Sequence, residues 1–402
     1  MNAPTRVEWR NWSGSVAFAP ERVCTPADTA AVAAIVRDAH ARGDGVRAVG
    51  AGHTSNAQLV SSGVLVSTGA LCGIVAHDRA ALTATVRAGT PLQDLGRDLY
   101  EHDLALPNFG DIASQTVGGA IATGTHGTGR DQPNLSRMLV GATLVDGRGY
   151  LRTIGRDETA RLRAARVALG TLGIVVEATL SLVPTFDVER REYACGTGAT
   201  LARLDEFVAG NRSFDFYWYP RRDDCKLRFV NAVDGGTPAP DGARLVEFVS
   251  GRGHEIIPTH TGIPHRFEEC EYAVPLEAGP ACFRAVRERI LARWRATVGW
   301  RVLYRTVAAD DSYLSPASGR DTATISLHQN ASLPWCEYFA DLEPVFRDHG
   351  GRPHWAKKHT MDAEALAPLY PAWNEFARIR RRFDPDGTFL TPYLHRLLEG
   401  AS

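Results

Sequence analysis

The stretch Arg47–Asn56, RAVGAGHTSN, narrows the choices for the whole chain more than any other. A short apolar strand runs out at Val49. Gly50, Ala51 and Gly52 then crowd small residues into a turn, with His53 at its tip. Small residues let backbone N–H groups approach a ligand closely, and glycine tolerates the positive φ that such turns need. Taken singly, a run of this kind is an ordinary loop. A second glycine-rich stretch, Val117–Gly129 (VGGAIATGTHGTG), has glycines at 118, 119, 124, 127 and 129 and reads as another turn. Two such turns in the first third of one chain predict an extended, polyanionic cofactor gripped from two sides.

The whole 402-residue sequence sets limits on that reading. The length suffices for two domains with a large core. Lys plus Arg number 45 against 46 Asp plus Glu, so no overall field favours nucleic acid or an acidic membrane. The start, MNAPTRVEWRNWSG, lacks the apolar core of a leader peptide, and no apolar run approaches the ~20 residues of a transmembrane span. Seven scattered cysteines without a CxxC pair speak against a disulfide framework or a thiolate zinc site, and fit a reducing compartment. His354 and His359 lack HExxH spacing, so no metal site is expected. A cytoplasmic protein is the expectation, with monomer and homodimer both open.

In chain order, Thr25-Pro26-Ala27-Asp28 reads as an N-cap, first-turn proline and acidic first turn of a helix that Gly43 stops. Strands are expected at Val64–Ser67 and Leu82–Ala88, with a second helix opened by Thr90-Pro91. Met138–Val145 and Tyr150–Ile154 read as strands joined by a turn, followed by a helix from about Asp157 and a strand Ile174–Val183. Pro184 closes a first domain, 1–184. From there to about 345 the composition shifts. Phe214–Pro220 alternates with period two, Val233–Gly242 is a loop, and strands at Glu271–Val274 and Trp300–Val307 flank a helix around 281–298. That pattern predicts a second domain with an antiparallel sheet. The tail, 346–402, carries a helix around Ala363–Arg381. The first hundred residues alternate strand and helix, which favours a mixed α/β layer.

Three motifs in this order, VGAGHTSN, VGGAIATGTHGTG, and GGRPHWAKKH followed by FDPDGTFLTPYL, resemble the vanillyl-alcohol-oxidase-type (PCMH-type) flavoproteins, specifically the sugar-1,4-lactone and alditol oxidase branch. The resemblance implies an α+β fold, with a PCMH-type FAD-binding domain built from the N-terminal part and the last segment, and a cap domain of antiparallel sheet flanked by helices between them. It implies that Val49, Gly50, Ala51, Gly52 and Thr54 cradle the FAD pyrophosphate, and that His53 holds the flavin covalently. Thr116, Gly118, Gly119, Thr123, Gly124, His126 and Gly127 would run along the cofactor, and Ile174 would meet its adenine half. His354 and Lys357 would lie at the flavin, with Arg305 beside it from the cap. Gly110 resembles the oxidase members, which implies molecular oxygen as acceptor and hydrogen peroxide as by-product.

The residue types suit the chemistry. A flavin that takes hydride from an alcohol carbon gathers negative charge, which fixed cations such as Lys357 and Arg305 stabilise. One departure is marked: the family strand carries Glu-x-Arg, whereas Leu303 holds the glutamate position here. Leucine cannot accept a hydrogen bond from a polyol. His328, on the next strand, is the candidate base or hydrogen-bonding replacement. The function implied is an FAD-dependent oxidase of a CH–OH carbon in a small-molecule sugar lactone. An alditol oxidase, and a biosynthetic flavin oxidase with a less polar substrate, are the alternatives. A flavin binder without turnover would need none of Arg305, Lys357 and Gly110, and the turns lack the GxGxxG context of an NAD module.

Overall fold

The computed structural model describes residues 8–259 and 265–400; the first half of the segment inspected for a leader lies outside them. Strands β1 (Trp9–Arg10) and β2 (Ala17–Phe18) form a short antiparallel pair. Strands β3 (Arg22–Cys24), β4 (Val46–Val49) and β5 (Val64–Ser67) make a parallel sheet in the order β3-β5-β4. Its crossover helix is α1 (Thr29–Arg42). The N-cap of α1 is Asp28, whose carboxylate accepts from Ala31 N, so Thr25-Pro26 precedes the helix instead of opening it. A carboxylate satisfies the free first-turn N–H groups directly, and this decides the start. Gly43 stops the helix at φ 73° as expected.

A five-stranded antiparallel sheet follows, from β6 (Ile74–Asp78), β7 (Thr83–Arg87), β9 (Leu139–Val145), β10 (Leu151–Ile154) and β11 (Ile174–Ser181), ordered β10-β9-β11-β7-β6. The short strands β8 (Leu104–Ala105) and β12 (Val183–Pro184) pair beside it. Helices α2 (Leu92–Tyr100), α3 (Val117–Thr123) and α4 (Thr159–Ala165) belong to this part of the chain.

Helix α3 corrects the expectation of a second turn. Thr116 caps it by accepting from Gly119 N, and Gly124 ends it at φ 75°. Its glycines serve close approach instead of chain reversal. A Cβ on Gly118 would stand 3.0 Å from Ala88 Cβ, and one on Gly50 in the first turn would overlap Thr116 Oγ1. The two glycine-rich stretches therefore pack directly on each other.

From residue 187 a single eight-stranded antiparallel sheet dominates. It comprises β13 (Asp187–Gly196), β14 (Ser213–Tyr219), β15 (Asp224–Asn231), β16 (Arg244–Arg252), β17 (Phe267–Pro275), β18 (Val302–Val307), β19 (Thr322–Asn330) and β20 (Arg352–Pro353). The order is β16-β13-β15-β14-β18-β19-β17-β20. Strand β14 is buried on both faces over Ser213–Trp218, so its alternation separates two buried environments, not core from water. Phe214, Phe216 and Trp218 pack against Phe207 and Phe283 from the covering helices. Asp215 and Tyr217 face the other way, toward Arg228 and Asp111.

The tail helix is broken, contrary to expectation. Ala363–Leu366, a 3-10 turn Ala367–Leu369 and Trp373–Phe383 are separate, because Pro368 and Pro371 remove donors and restrict the residues before them. Before that break the tail returns to the first turn. Asn56 Nδ2 donates to Trp355 O (2.7 Å) and Lys357 O (3.0 Å), and Ser55 N to Ala356 O (2.8 Å). Arg47, fully buried, donates to the carbonyls of Leu169, Gly170 and Phe389. The chain start, middle and end are thus fastened around one turn. Among the described residues no helix is long and apolar enough to cross a membrane.

Candidate active site

Between the large sheet and the glycine-rich elements runs one continuous cleft with ≈ 1630 Å³ of empty space, mouth included. Its lining runs from the first turn past α3 to the tail motif and the large sheet, an extent that suits a dinucleotide together with a small molecule. The first turn lines it from Val49 to Thr54. The backbone N–H groups of Ala51, Gly52, His53 and Thr54 donate to no protein acceptor among the described residues. Successive unpaired N–H groups at a cavity wall form an anion-seeking concavity. A pyrophosphate fits there, and the glycine backbone leaves it room.

Most of the expected site residues share this cleft: Gly110, Thr116, Gly118, Gly119, Thr123, His126, Arg305, His328, His354 and Lys357 all line it. Three do not. Ile174 is 1 % exposed in the core of the parallel-sheet layer, and its neighbours Gly173 and Val175 reach the cleft in its place. Gly124 is the helix stop, and a Cβ on Gly127 would overlap Phe109 O, so that glycine lets two backbones touch.

His53 Nε2 lies 3.2 Å from Ser114 Oγ, and the ring stands 5.3 Å from that of Trp12. Burial, reinforced by the nearby Lys357 cation, pushes its pKa down to about 4. The imidazole is therefore neutral near pH 7, the form with a free lone pair.

Two carboxylates on β17 organise the end of the cleft nearest the large sheet. Glu269 and Glu271 are two residues apart and share a face. Glu269 sits opposite His328 in the ladder, with Oε1 3.3 Å from His328 Nε2, while Oε2 takes the Lys357 ammonium. Burial alone would raise its pKa, but Lys357 and His328 outweigh that and hold it well below the usual carboxylate range. His328 Nδ1 lies 3.2 Å from Arg301 O. Glu271, 1 % exposed, accepts from Arg305 Nη2 at 2.8 Å, contacts His126 Nε2 at 2.6 Å and takes the Ser326 hydroxyl. Here too burial is overcome, by Arg305 and His126, and the group stays ionised.

Arg305 thus pairs with Glu271, while Asp310 binds Asn134 and Ser315, and Asp311 binds Arg163 and Arg166. The ligand atoms of His126, Glu271 and His354 lie within 4.8 Å of one another. Three donors already engage that carboxylate, so the group reads as a hydrogen-bond network. Leu303 lines the cleft beside it, 2 % exposed.

Glu269 is the residue that sequence reasoning missed. The carboxylate absent from position 303 has a counterpart two strands away. The signal was FEECEYAV: Glu268, Glu269 and Glu271 stand in an otherwise apolar strand, alternation puts 269 and 271 on one face, and carboxylates buried there must meet cations.

The D-arabinono-1,4-lactone oxidase profile matches residues 249–397, and that of the FAD binding domain matches residues 20–155. The chain is 34 % identical over 427 residues to L-gulono-1,4-lactone dehydrogenase of Mycobacterium tuberculosis, covering 97 % of this chain and 99 % of that one. It is 31 % identical to the alditol oxidase of a Streptomyces species (97 % and 99 % covered) and 26 % to mouse L-gulonolactone oxidase (97 % and 98 %). Among solved structures, cholesterol oxidase from B. sterolicum superposes with a TM-score of 0.85 at 18 % identity, covering 99 % of each chain. Chitooligosaccharide oxidase does so at 0.79 and 14 %, covering 96 % and 93 %. At such identities these two show the fold alone.

Proposed function

The chain belongs to the sugar-lactone and alditol oxidase branch of the PCMH-type FAD flavoproteins, and from that membership we propose that it oxidises a CH–OH carbon of a hydroxylated sugar lactone or a related alcohol. One observation carries the reading: a single cleft joins an anion-seeking main-chain turn to a buried array in which Lys357 and Arg305 are held by Glu269 and Glu271. Bound FAD supplies the two-electron acceptor for the hydride. Residues 1–184 and 346–402 would form its binding domain and 185–345 the cap.

The protein's own groups then divide the work. The N–H groups of residues 51–54 hold the pyrophosphate. Lys357 and Arg305 are the fixed cations on which developing negative charge is stabilised. Glu269, kept ionised, accepts the hydrogen bond and, as the hydride leaves, the proton of a substrate hydroxyl that Leu303 cannot accept, with His328 Nε2 against its Oε1 as the hydrogen-bonding partner. A carboxylate at that place favours a hydroxylated substrate over the less polar alternative. His53, neutral and at the cleft wall, is the proposed point of covalent attachment. Gly110 leaves the cleft open for oxygen, which is reduced to hydrogen peroxide. A cytoplasmic setting agrees with seven free cysteines.

The testing experiment is an absorbance spectrum of purified protein before and after acid precipitation, followed by anaerobic titration with aldono-1,4-lactones. Yellow colour staying with the pellet, lost from it in His53→Ala, and bleaching by a lactone are expected. Colour released to the supernatant in wild type would remove the covalent link. A colourless protein that takes up no FAD would overturn the assignment.

A further inference from the structure

Three side chains at alternate positions reach the cleft from β18 and the residue before it: Arg301, Leu303 and Arg305. The cations around the cleft are nearly all accounted for. Arg305 is balanced by Glu271 and Lys357 by Glu269. Arg228, behind the wall, is balanced by Asp215 and Asp111. Arg47 is spent on three backbone carbonyls.

Arg301 is different. Among the described residues it forms no ion pair and donates no side-chain hydrogen bond, and its Nε is buried without an acceptor. Its guanidinium is nonetheless held in place: Cζ lies 3.6 Å from the Tyr217 ring centroid and 4.5 Å from that of Trp300. Stacking on rings fixes the plane of a guanidinium and leaves its N–H edge for an in-plane acceptor. A donor edge turned toward a cleft without an acceptor is costly unless a ligand supplies one.

We infer that Arg301 forms an anion subsite at the cap end of the cleft, and that the substrate is a hydroxylated sugar derivative carrying a carboxylate. This rests on the oxidase reading above. A carboxylate is favoured over a phosphate ester by shape and charge. The planar edge matches two carboxylate oxygens. One unbalanced positive charge, with ionised Glu269 and the Asp111 carboxylate also lining the cleft, neutralises one negative charge and not two.

Two lactones that differ only at C6 provide the test: D-glucono-1,4-lactone, with CH2OH, and D-glucaro-1,4-lactone, with a carboxylate. Initial rates and the spectral shift of the oxidised holoenzyme on titration are read for wild type, Arg301→Gln and Arg301→Lys. Wild type is expected to prefer the carboxylate by about tenfold or more, expressed in KM and in the spectral Kd. The preference should collapse toward unity in Arg301→Gln and survive in part in Arg301→Lys. No preference in wild type, a preference that persists in Arg301→Gln, tighter binding of a sugar phosphate, or loss of FAD from Arg301→Gln would each overturn the inference. If neither lactone bleaches the flavin while the spectral Kd still depends on Arg301, the oxidase reading fails and the subsite stands.

Discussion

Glu269 and His328 face each other across the β17–β19 ladder, with the carboxylate Oε1 3.3 Å from the imidazole Nε2 and the other oxygen on Lys357. The side chains that would touch substrate are thereby coupled, and no one of them can be replaced without altering the others.

Glu269→Gln keeps the shape and removes the charge. Losing a charged acceptor for a hydroxyl, at about 1.5–3 kcal/mol, predicts a fall in kcat/KM of roughly 10- to 100-fold on a polyol or lactone. Lys357→Met should slow anaerobic flavin reduction while FAD remains bound. Because the pair acts as a unit, the double variant should lose less than the product of the two single losses. Additive losses in stopped-flow reduction would show that the two side chains act independently.

The position of that carboxylate explains what the sequence conceals. The strand carrying Leu303 was legible, and so was its lack of a glutamate. That Glu269 lies beside the same space follows only from strand order. β17 and β18 are separated in the chain by a helix yet flank β19, placing 269, 328 and 301 in one row. Local pattern identified β5, and β9 and β10 to within a residue, because each has its apolar run bounded by turn residues. It misread α3, since glycines that break helices in water here admit Ala88 and Thr116, and that contact is tertiary. The first turn and the tail motif were readable as candidate ligand-bearing stretches, and both line the cleft. That Asn56 ties one to the other was not.

Gly110 tests the acceptor. A Cβ there would stand 3.1 Å from Thr125 Cγ2 and 3.4 Å from His126 O, so an added methyl narrows the cleft wall at a tight place. Gly110→Ala is expected to slow reoxidation of the reduced protein by oxygen about tenfold, near 1.4 kcal/mol, with a smaller effect on anaerobic reduction. Reoxidation at the wild-type rate would remove Gly110 from the oxygen path and direct the search to other acceptors.

His354 makes a prediction about acid. Burial, with Lys357 adding and Glu271 opposing, pushes its pKa down to about 3. The geometry agrees, since Nδ1 accepts from Ala356 N at 3.2 Å and a proton there would break that bond. An unfolded histidine titrates near ~6.5. From that pH down to about 3 the unfolded chain therefore binds a proton that the folded one refuses, and stability falls as pH falls. Glu269 and Glu271 stay ionised in both states until the unfolded carboxylates titrate near ~4.3, so the upper part of the window isolates histidine. Urea midpoints measured between pH 7 and 5 should decline, with His354 contributing a slope of up to about 1.4 kcal/mol per pH unit. His354→Gln supplies an acceptor that does not titrate, and should flatten the curve by that amount. An unchanged slope in this variant would mean that His354 is already charged in the folded protein, with Glu271 as its counter-ion.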